Sequence, residues 1–372
     1  MRVYGSDAIR NVAFVGHGGS GKTTLVDALA FVSGASRRHG NIKDGTTLTD
    51  YTPDEIARQH SISLGLAYAE WMDTKLNLLD TPGYLDFFGE VVTGLHAADA
   101  AVVVVSGVSG VEVGTEKAWE VCDRLHLPRL IFVGQMDKEH ANFERVFADV
   151  KAHLSPKVLP VEVPIGEGST FRGIVNLFSG KSHIYKPGTK SGEYDEVEVP
   201  AEHQAEVKKY SDLLIETVAA TDDALIERYL GGEEIPREEV IAALKAAVVA
   251  GSIVPLFVGS ATLTFGMRAL LTKMVEIFPA AADVPPPVDA PLLGRVFKTT
   301  SEPHVGDVTL FRLYAGTLKN GADVWNAEHE VAEKLNHLSV QQGRERTEVG
   351  VLHAGDIGVV AKLRDQYESQ ET

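Results

Sequence analysis

The eight residues Gly16-His17-Gly18-Gly19-Ser20-Gly21-Lys22-Thr23 constrain this chain more than any other stretch. They carry the spacing GxxxxGK[ST], follow directly on the aliphatic run at 12–15, and open a helical pattern. A P-loop cradles phosphate in this context. The glycines let successive backbone N–H groups converge without Cβ clashes, and the helix N-terminus adds partial positive charge. Lys22 is placed to lie along β- and γ-phosphates, and the Thr23 hydroxyl to ligate Mg²⁺. His17, Gly18, Gly19, Ser20, Gly21 and Thr24 complete the cradle.

A second motif, Asp80-Thr81-Pro82-Gly83, follows the run at 76–79. That position lets Asp80 hold Mg²⁺, through water, and Gly83 offer its N–H to a γ-phosphate. A glycine three residues after the aspartate points to a GTPase switch, because it can swing when the γ-phosphate leaves. Further aliphatic runs at 100–105 and 130–133 suit buried parallel strands, and Leu25, Ala28, Leu29 and Val32 recur at helical spacing before Gly34. The pattern is doubly wound α/β. It resumes at 253–258, just before Gly259-Ser260-Ala261, after an interruption that reads as an α+β inserted subdomain over about 157–252.

The insert carries strand-like runs at 158–163 and 173–177. Its helical faces are marked by Val207, Tyr210 and Leu214, and, beyond Pro236, by Val240, Leu244 and Val248. Pro285, Pro286 and Pro287, with Pro291 behind them, interrupt all periodicity and read as a linker. Beyond it lie short β-rich runs at 295–297, 308–314, 351–352 and 357–363, with Asn320-Gly321 as the clearest hairpin signal. The expected division is a P-loop domain over 1–285 and a small all-β barrel over 286–372.

Composition adds exclusions. The formal charge of −17 opposes broad adhesion to nucleic acid or anionic lipid, so DNA and membrane are not expected partners. No apolar run is long enough to cross a bilayer or to serve as a secretory signal, and the expectation is cytoplasmic. A single cysteine, Cys122, leaves no internal disulfide and reads as a small buried hydrophobe.

The runs 78–87 (Leu-Leu-Asp-Thr-Pro-Gly-Tyr-Leu-Asp-Phe), 259–261 and 311–318 (Phe-Arg-Leu-Tyr-Ala-Gly-Thr-Leu), together with the insert, resemble bacterial translation elongation factor G, nearest its elongation factor G-like subgroup. The resemblance covers essentially the whole chain and corresponds to the family's first two domains; the family carries three more. It implies a GTP/GDP-binding, Mg²⁺-dependent GTPase that works on the ribosome as a monomer. Carried over residue by residue, it implies Gly21, Lys22 and Thr23 on phosphate and Mg²⁺, and Asp80 and Gly83 at the switch. It further implies Ser260 and Ala261 on the guanine side and Ser61 as the Mg²⁺-ligating hydroxyl of the first switch. Basic residues Arg295, Lys298, Arg312, Lys319, Arg344 and Arg346 are candidates for a patch against ribosomal RNA.

Three departures bear on mechanism. The family's guanine motif Asn-Lys-x-Asp is here Gly134-Gln135-Met136-Asp137, so Asp137 keeps the main discrimination while the bracing contacts are lost. Tyr84 stands where the family has a water-orienting histidine, and Gly19 stands where it has an aspartate. Lys22, Gly83 and Tyr84 are the residues that would act on the phosphoryl group, with slow turnover. The alternatives are a nucleotide-binding, ribosome-docking switch with little hydrolysis, or a P-loop ATPase. His17, His39, His60 and His140 lack metal-ligand spacing and read as loop or surface residues.

Overall fold

The strand β1 (Ile9–Val15) is buried at every position, as an aliphatic run in the middle of a parallel sheet must be. The computed structural model describes residues 2–186, 188–189, 191–302 and 305–361. After β1 come α1 (Lys22–Val32), α2 (Pro53–Arg58), β2 (Gly65–Trp71), β3 (Thr74–Asp80), α3 (Phe88–Ala97) and β4 (Ala100–Ser106). Then follow α4 (Val113–Arg124), β5 (Arg129–Gly134), α5 (Phe143–His153) and β6 (Val158–Pro160). The interrupting segment contains β7 (Glu162–Ile165), β8 (Gly173–Asn176), β9 (Lys181–Tyr185) and β10 (Tyr194–Glu198), then α6 (Gln204–Ala219), α7 (Asp223–Leu230) and α8 (Arg237–Val249). The α/β layer resumes with β11 (Val254–Val258) and α9 (Met267–Ile277).

The main sheet has the order β2-β3-β1-β4-β5-β11-β6. β2 is antiparallel to β3, and every other neighbouring pair is parallel. Both faces are covered by helices, so β4 and β5 need no alternation and show none. Cys122 is buried on α4, and burial pushes its thiol up to about 12, which keeps it an inert packing group.

The run at 158–163 does not belong to the insert alone. Its first half, β6, is the edge of the main sheet against β11, and its second half, β7, enters the insert's antiparallel sheet β10-β9-β8-β7. Val161 is the hinge: its N–H donates to Leu256 O at 3.0 Å and its carbonyl accepts from Leu177 N at 3.1 Å. The helical faces read from Val207, Tyr210, Leu214, Val240, Leu244 and Val248 are all buried.

Glu162, next to that hinge, is 2% exposed, and its Oε2 has no partner among the described residues. Burial pushes its carboxyl up to about 8, so the fold holds it neutral. A raised folded value contributes stability that is present at low pH and lost as pH rises through about 8. Glu162→Gln, which mimics the protonated acid, should match wild type at pH 4, where the carboxyl is protonated in the folded and unfolded chain alike. In thermal unfolding at pH 9.5 it should be the more stable protein, by about 1–3 kcal/mol.

The C-terminal β layer comprises β12 (Leu293–Glu302), β13 (Gly306–Ala315), β14 (Thr317–Lys319), β15 (Ala322–Asn326), β16 (Val331–Leu335), β17 (Ser339–Gln342), β18 (Glu345–Glu348), β19 (Val351–His353) and β20 (Ile357–Ala361). One five-stranded sheet runs β12-β13-β20-β17-β18, with short ladders β14-β19 and β15-β16 beside it. Lys362 and Leu363, the end of the run at 357–363, lie outside the described residues. Asn320-Gly321 is not a hairpin turn. It joins β14 to β15, which pair with different partners, and its polar groups stitch three segments together: Asn320 N donates to Gly350 O, Gly321 N to Leu335 O, and Leu338 N to Asn320 Oδ1. Gly321 takes φ +77°, the left-handed corner that the dipeptide supplies.

β13 and β20 are buried on both faces. Val308, Leu310, Ile357 and Val359 pack into the core of the α/β layer, while Phe311, Leu313 and Val360 form the barrel's own core. Between the two layers runs a buried polar chain. Arg312 Nη2 meets Asp99 Oδ1 at 2.6 Å, Asn11 Nδ2 meets Asp99 Oδ2 at 2.8 Å, and Asn77 Nδ2 meets Asn11 Oδ1 at 2.9 Å. Asn77 Nδ2 also reaches Asp356 Oδ1 at 3.1 Å, which Lys75 Nζ holds at 2.7 Å.

Candidate functional site

The turn after β1 needs glycine where it bends. Gly16 (φ +147°) would drive a Cβ into Val104 O, and Gly21 (φ +97°) caps α1 in the left-handed region. Lys22 is 5% exposed and donates to Gly16 O at 3.0 Å and His17 O at 2.8 Å, so its ammonium sits inside the loop it would share with phosphate. Burial lowers it to about 8, and an anion placed there would restore the charge. A Cβ on Gly83 would collide with Lys22 Nζ and Gly18 N, so the second motif rests directly on the first.

Thr23, Ser61 and Asp80 converge as expected for a cation site. Thr23 Oγ1 and Ser61 Oγ are 3.0 Å apart, and Asp80 Oδ2 accepts from Thr49 Oγ1 at 2.5 Å. Asp80 Oδ1 is buried without a partner among the described residues, and so is Asp50 Oδ2. Burial raises Asp80 to about 6 and Asp50 to about 7. Two orphaned carboxylate oxygens beside two hydroxyls fit a hard divalent cation with oxygen ligands such as Mg²⁺. Asp50 was not legible as a site residue. Nothing in its local sequence distinguishes it from the other carboxylates at 44–55.

In the loop between β5 and α5, Asp137 Oδ1 is buried with no partner among the described residues. Ser260 is fully buried, with Leu263 N donating to its Oγ at 3.1 Å, and Ala261 follows it. Gln135, at φ +61°, bridges two loops: its Nε2 donates to Gly19 O at 2.9 Å and its Oε1 accepts from Ser106 Oγ at 2.7 Å. That tie supplies the loop bracing whose loss the altered motif implied. A Cβ at Gly134 would stand 3.2 Å from the Phe132 ring, so an aromatic side chain takes up the space beside that position.

Tyr84 is 43% exposed and leans its ring over the P-loop, 3.0 Å from where a Gly18 Cβ would be. His60, read from the sequence as a loop histidine, packs against it with ring centroids 4.6 Å apart. His17 turns the other way: its Nδ1 accepts from Gly114 N at 3.1 Å and its Nε2 lies 3.5 Å from Glu112. His39 stacks on Phe31, and His140 is exposed. Gly18 and Thr24 line the open side of the loop, and Ser20 is buried beneath it.

The six basic barrel residues do not form one patch. Arg312 is 3% exposed in its pair with Asp99, Lys298 pairs with Glu90, and Arg346 pairs with Glu302. Only Arg295, Lys319 and Arg344 of the six are exposed. Long-range ion pairs between layers cannot be seen in a linear charge pattern.

The family model described as the elongation factor Tu GTP binding domain matches residues 7–280, and that of elongation factor G domain 2 matches residues 291–372. The structure is similar to the crystal structure of a protein from Thermus thermophilus, with a TM-score of 0.87 at 38% sequence identity. That match covers 96% of this chain and 52% of the other, so the chain spans about half the length of the protein it resembles.

Proposed function

Because the chain belongs to the translational GTPase family of elongation factors Tu and G, we propose that it binds GTP and GDP with Mg²⁺ and slowly hydrolyses GTP in contact with the ribosome. The observation that carries the guanine reading is the orphaned Asp137 oxygen on a loop tied to the Gly259-Ser260-Ala261 segment, Met136 N donating to Gly259 O at 3.2 Å. A carboxylate there accepts from guanine's ring N–H and exocyclic amine, a pair of donors that adenine lacks. Lys22 leaves the Gly16 and His17 carbonyls for the β- and γ-phosphates, and the N–H groups of Gly18 to Thr24 line the phosphate cradle. Gly83 offers its N–H to the γ-phosphate.

Thr23, Ser61 and Asp80 hold the cation, with Asp50 beside them. When bound, Mg²⁺ neutralises charge on the phosphates and orients them. The remaining parts of the proposal are a cytoplasmic monomer and a ribosomal docking surface that includes exposed Arg295, Lys319 and Arg344. One observation favours a second reading, a docking switch with little hydrolysis: it is a phenol, not an imidazole, that Tyr84 leans over the P-loop.

Displacement of a fluorescent GTP analogue in Mg²⁺ tests the first reading. GTP and GDP are expected to displace it and ATP to fail. Equal displacement by ATP sinks the guanine assignment. Binding with no turnover, alone or with ribosomes, leaves the docking switch.

A further inference from the structure

A phosphoryl-transfer site must hold a water in line with the γ-phosphate, and a hydrogen-bond acceptor on that water fixes its direction. The γ-phosphate position is bracketed by Lys22, Gly83 and the Thr23–Ser61 hydroxyl pair. Asp50 and Asp80 there would be taken up by a bound cation, the Lys22 ammonium has no lone pair, and His17 Nδ1 is engaged by Gly114. His60 immediately precedes Ser61, so its backbone is anchored at the cation side of the bracket.

The tautomer of His60 follows from its neighbour. Its Nδ1 lies 3.2 Å from Ser61 O, and a carbonyl oxygen can only accept, so Nδ1 carries a proton and, in the neutral imidazole, Nε2 is the acceptor. Nε2 has no hydrogen-bond partner among the described residues. The ring packs against Tyr84, at 4.6 Å, and Phe87, at 6.2 Å between centroids. Tyr84 itself leans on Gly18 of the P-loop.

We infer that His60 is the water-orienting residue of this site, its Nε2 accepting a hydrogen bond from the attacking water while Tyr84 and Phe87 pack against the imidazole. The inference rests on the hydrolytic reading above. The water oxygen bonds to the γ-phosphorus and the bridging P–O bond breaks, its electron pair leaving on the β-phosphate of GDP. The water's proton passes to a γ-phosphate oxygen. Tyr84 then contributes its ring, and its hydroxyl is dispensable.

Single-turnover GTP hydrolysis by the whole chain, alone and with ribosomes, tests this, with GTP affinity measured in parallel by analogue displacement. His60→Phe keeps an aromatic ring without an acceptor and is expected to lower the rate about a hundredfold while GTP affinity stays within about twofold. His60→Gln, with an amide oxygen near the Nε2 position, should retain the rate within about threefold. A His60→Phe rate equal to wild type overturns the role of His60 alone. Equal losses in His60→Phe and His60→Gln mean that an acceptor at the Nε2 position does not set the rate, and overturn it too. A loss confined to Tyr84→Phe assigns the water to the phenol instead. A wild type that binds GTP without hydrolysing it removes the reaction itself, and with it this role.

Discussion

Asp137→Asn is expected to lower GTP affinity at least about a hundredfold and to pass the preference to XTP. The carboxylate accepts two hydrogen bonds from guanine. An amide in its place loses one acceptor and sets its NH₂ against guanine's own amine. Two lost charge-assisted bonds at roughly 1.5–3 kcal/mol each exceed two decades of affinity. Xanthine replaces the amine with a carbonyl, which the asparagine NH₂ can serve. Displacement by GTP and XTP from wild type and variant measures the exchange. An Asp137→Asn protein that still prefers GTP would mean that Asp137 does not read the base, and that Ser260, Ala261 and Gln135 must account for any guanine preference.

The second large effect lies in the joint between layers. Asp99 has 1% side-chain exposure, holds Arg312 and Asn11, and through Asn77 connects to Asp356 and Lys75. Asp99→Ala leaves the Arg312 guanidinium buried without its anion, and its Nε already lacks a partner among the described residues. Stranding a buried charge costs about 3–5 kcal/mol. Thermal unfolding should register that loss, and Asp99→Leu combined with Arg312→Met should recover most of it, since burying two apolar groups avoids the desolvation of both charges. If the double variant unfolds as readily as Asp99→Ala, the pair contributes by its attraction rather than by the penalty of breaking it.

The α/β layer was legible because its chemistry is local. A run such as 100–105 must be buried wherever it lies, and the spacing from Gly16 to Thr23 holds its geometry within one turn and one helix end. Other features depend on partners far along the chain. Asn320-Gly321 has the dihedral preference of a hairpin, but hydrogen bonds to Gly350, Leu335 and Leu338 turn it into a corner. Lys298 and Arg312 looked like a surface charge pattern because Glu90 and Asp99 stand some two hundred residues earlier. The same limit applies within the site. Motif spacing marks Thr23 and Asp80, whereas Asp50 and His60 become candidates only once the 50–61 segment folds back over the P-loop.

The two-faced strands β13 and β20 also bear on inheritance. A chain whose layers met across water and a flexible linker could exchange its barrel with a relative's in one recombination event. Here the barrel brings Val308, Leu310, Ile357 and Val359 into a core it does not own, and Arg312 and Asp356 into pairs whose other halves, Asp99 and Lys75, lie in the α/β layer. A crossover in the proline run would therefore separate matched partners, and descendants that kept both layers together would be favoured. The two layers are tied to each other as one evolving unit, with a seam that marks where the backbone crosses but not where the sequence can be divided.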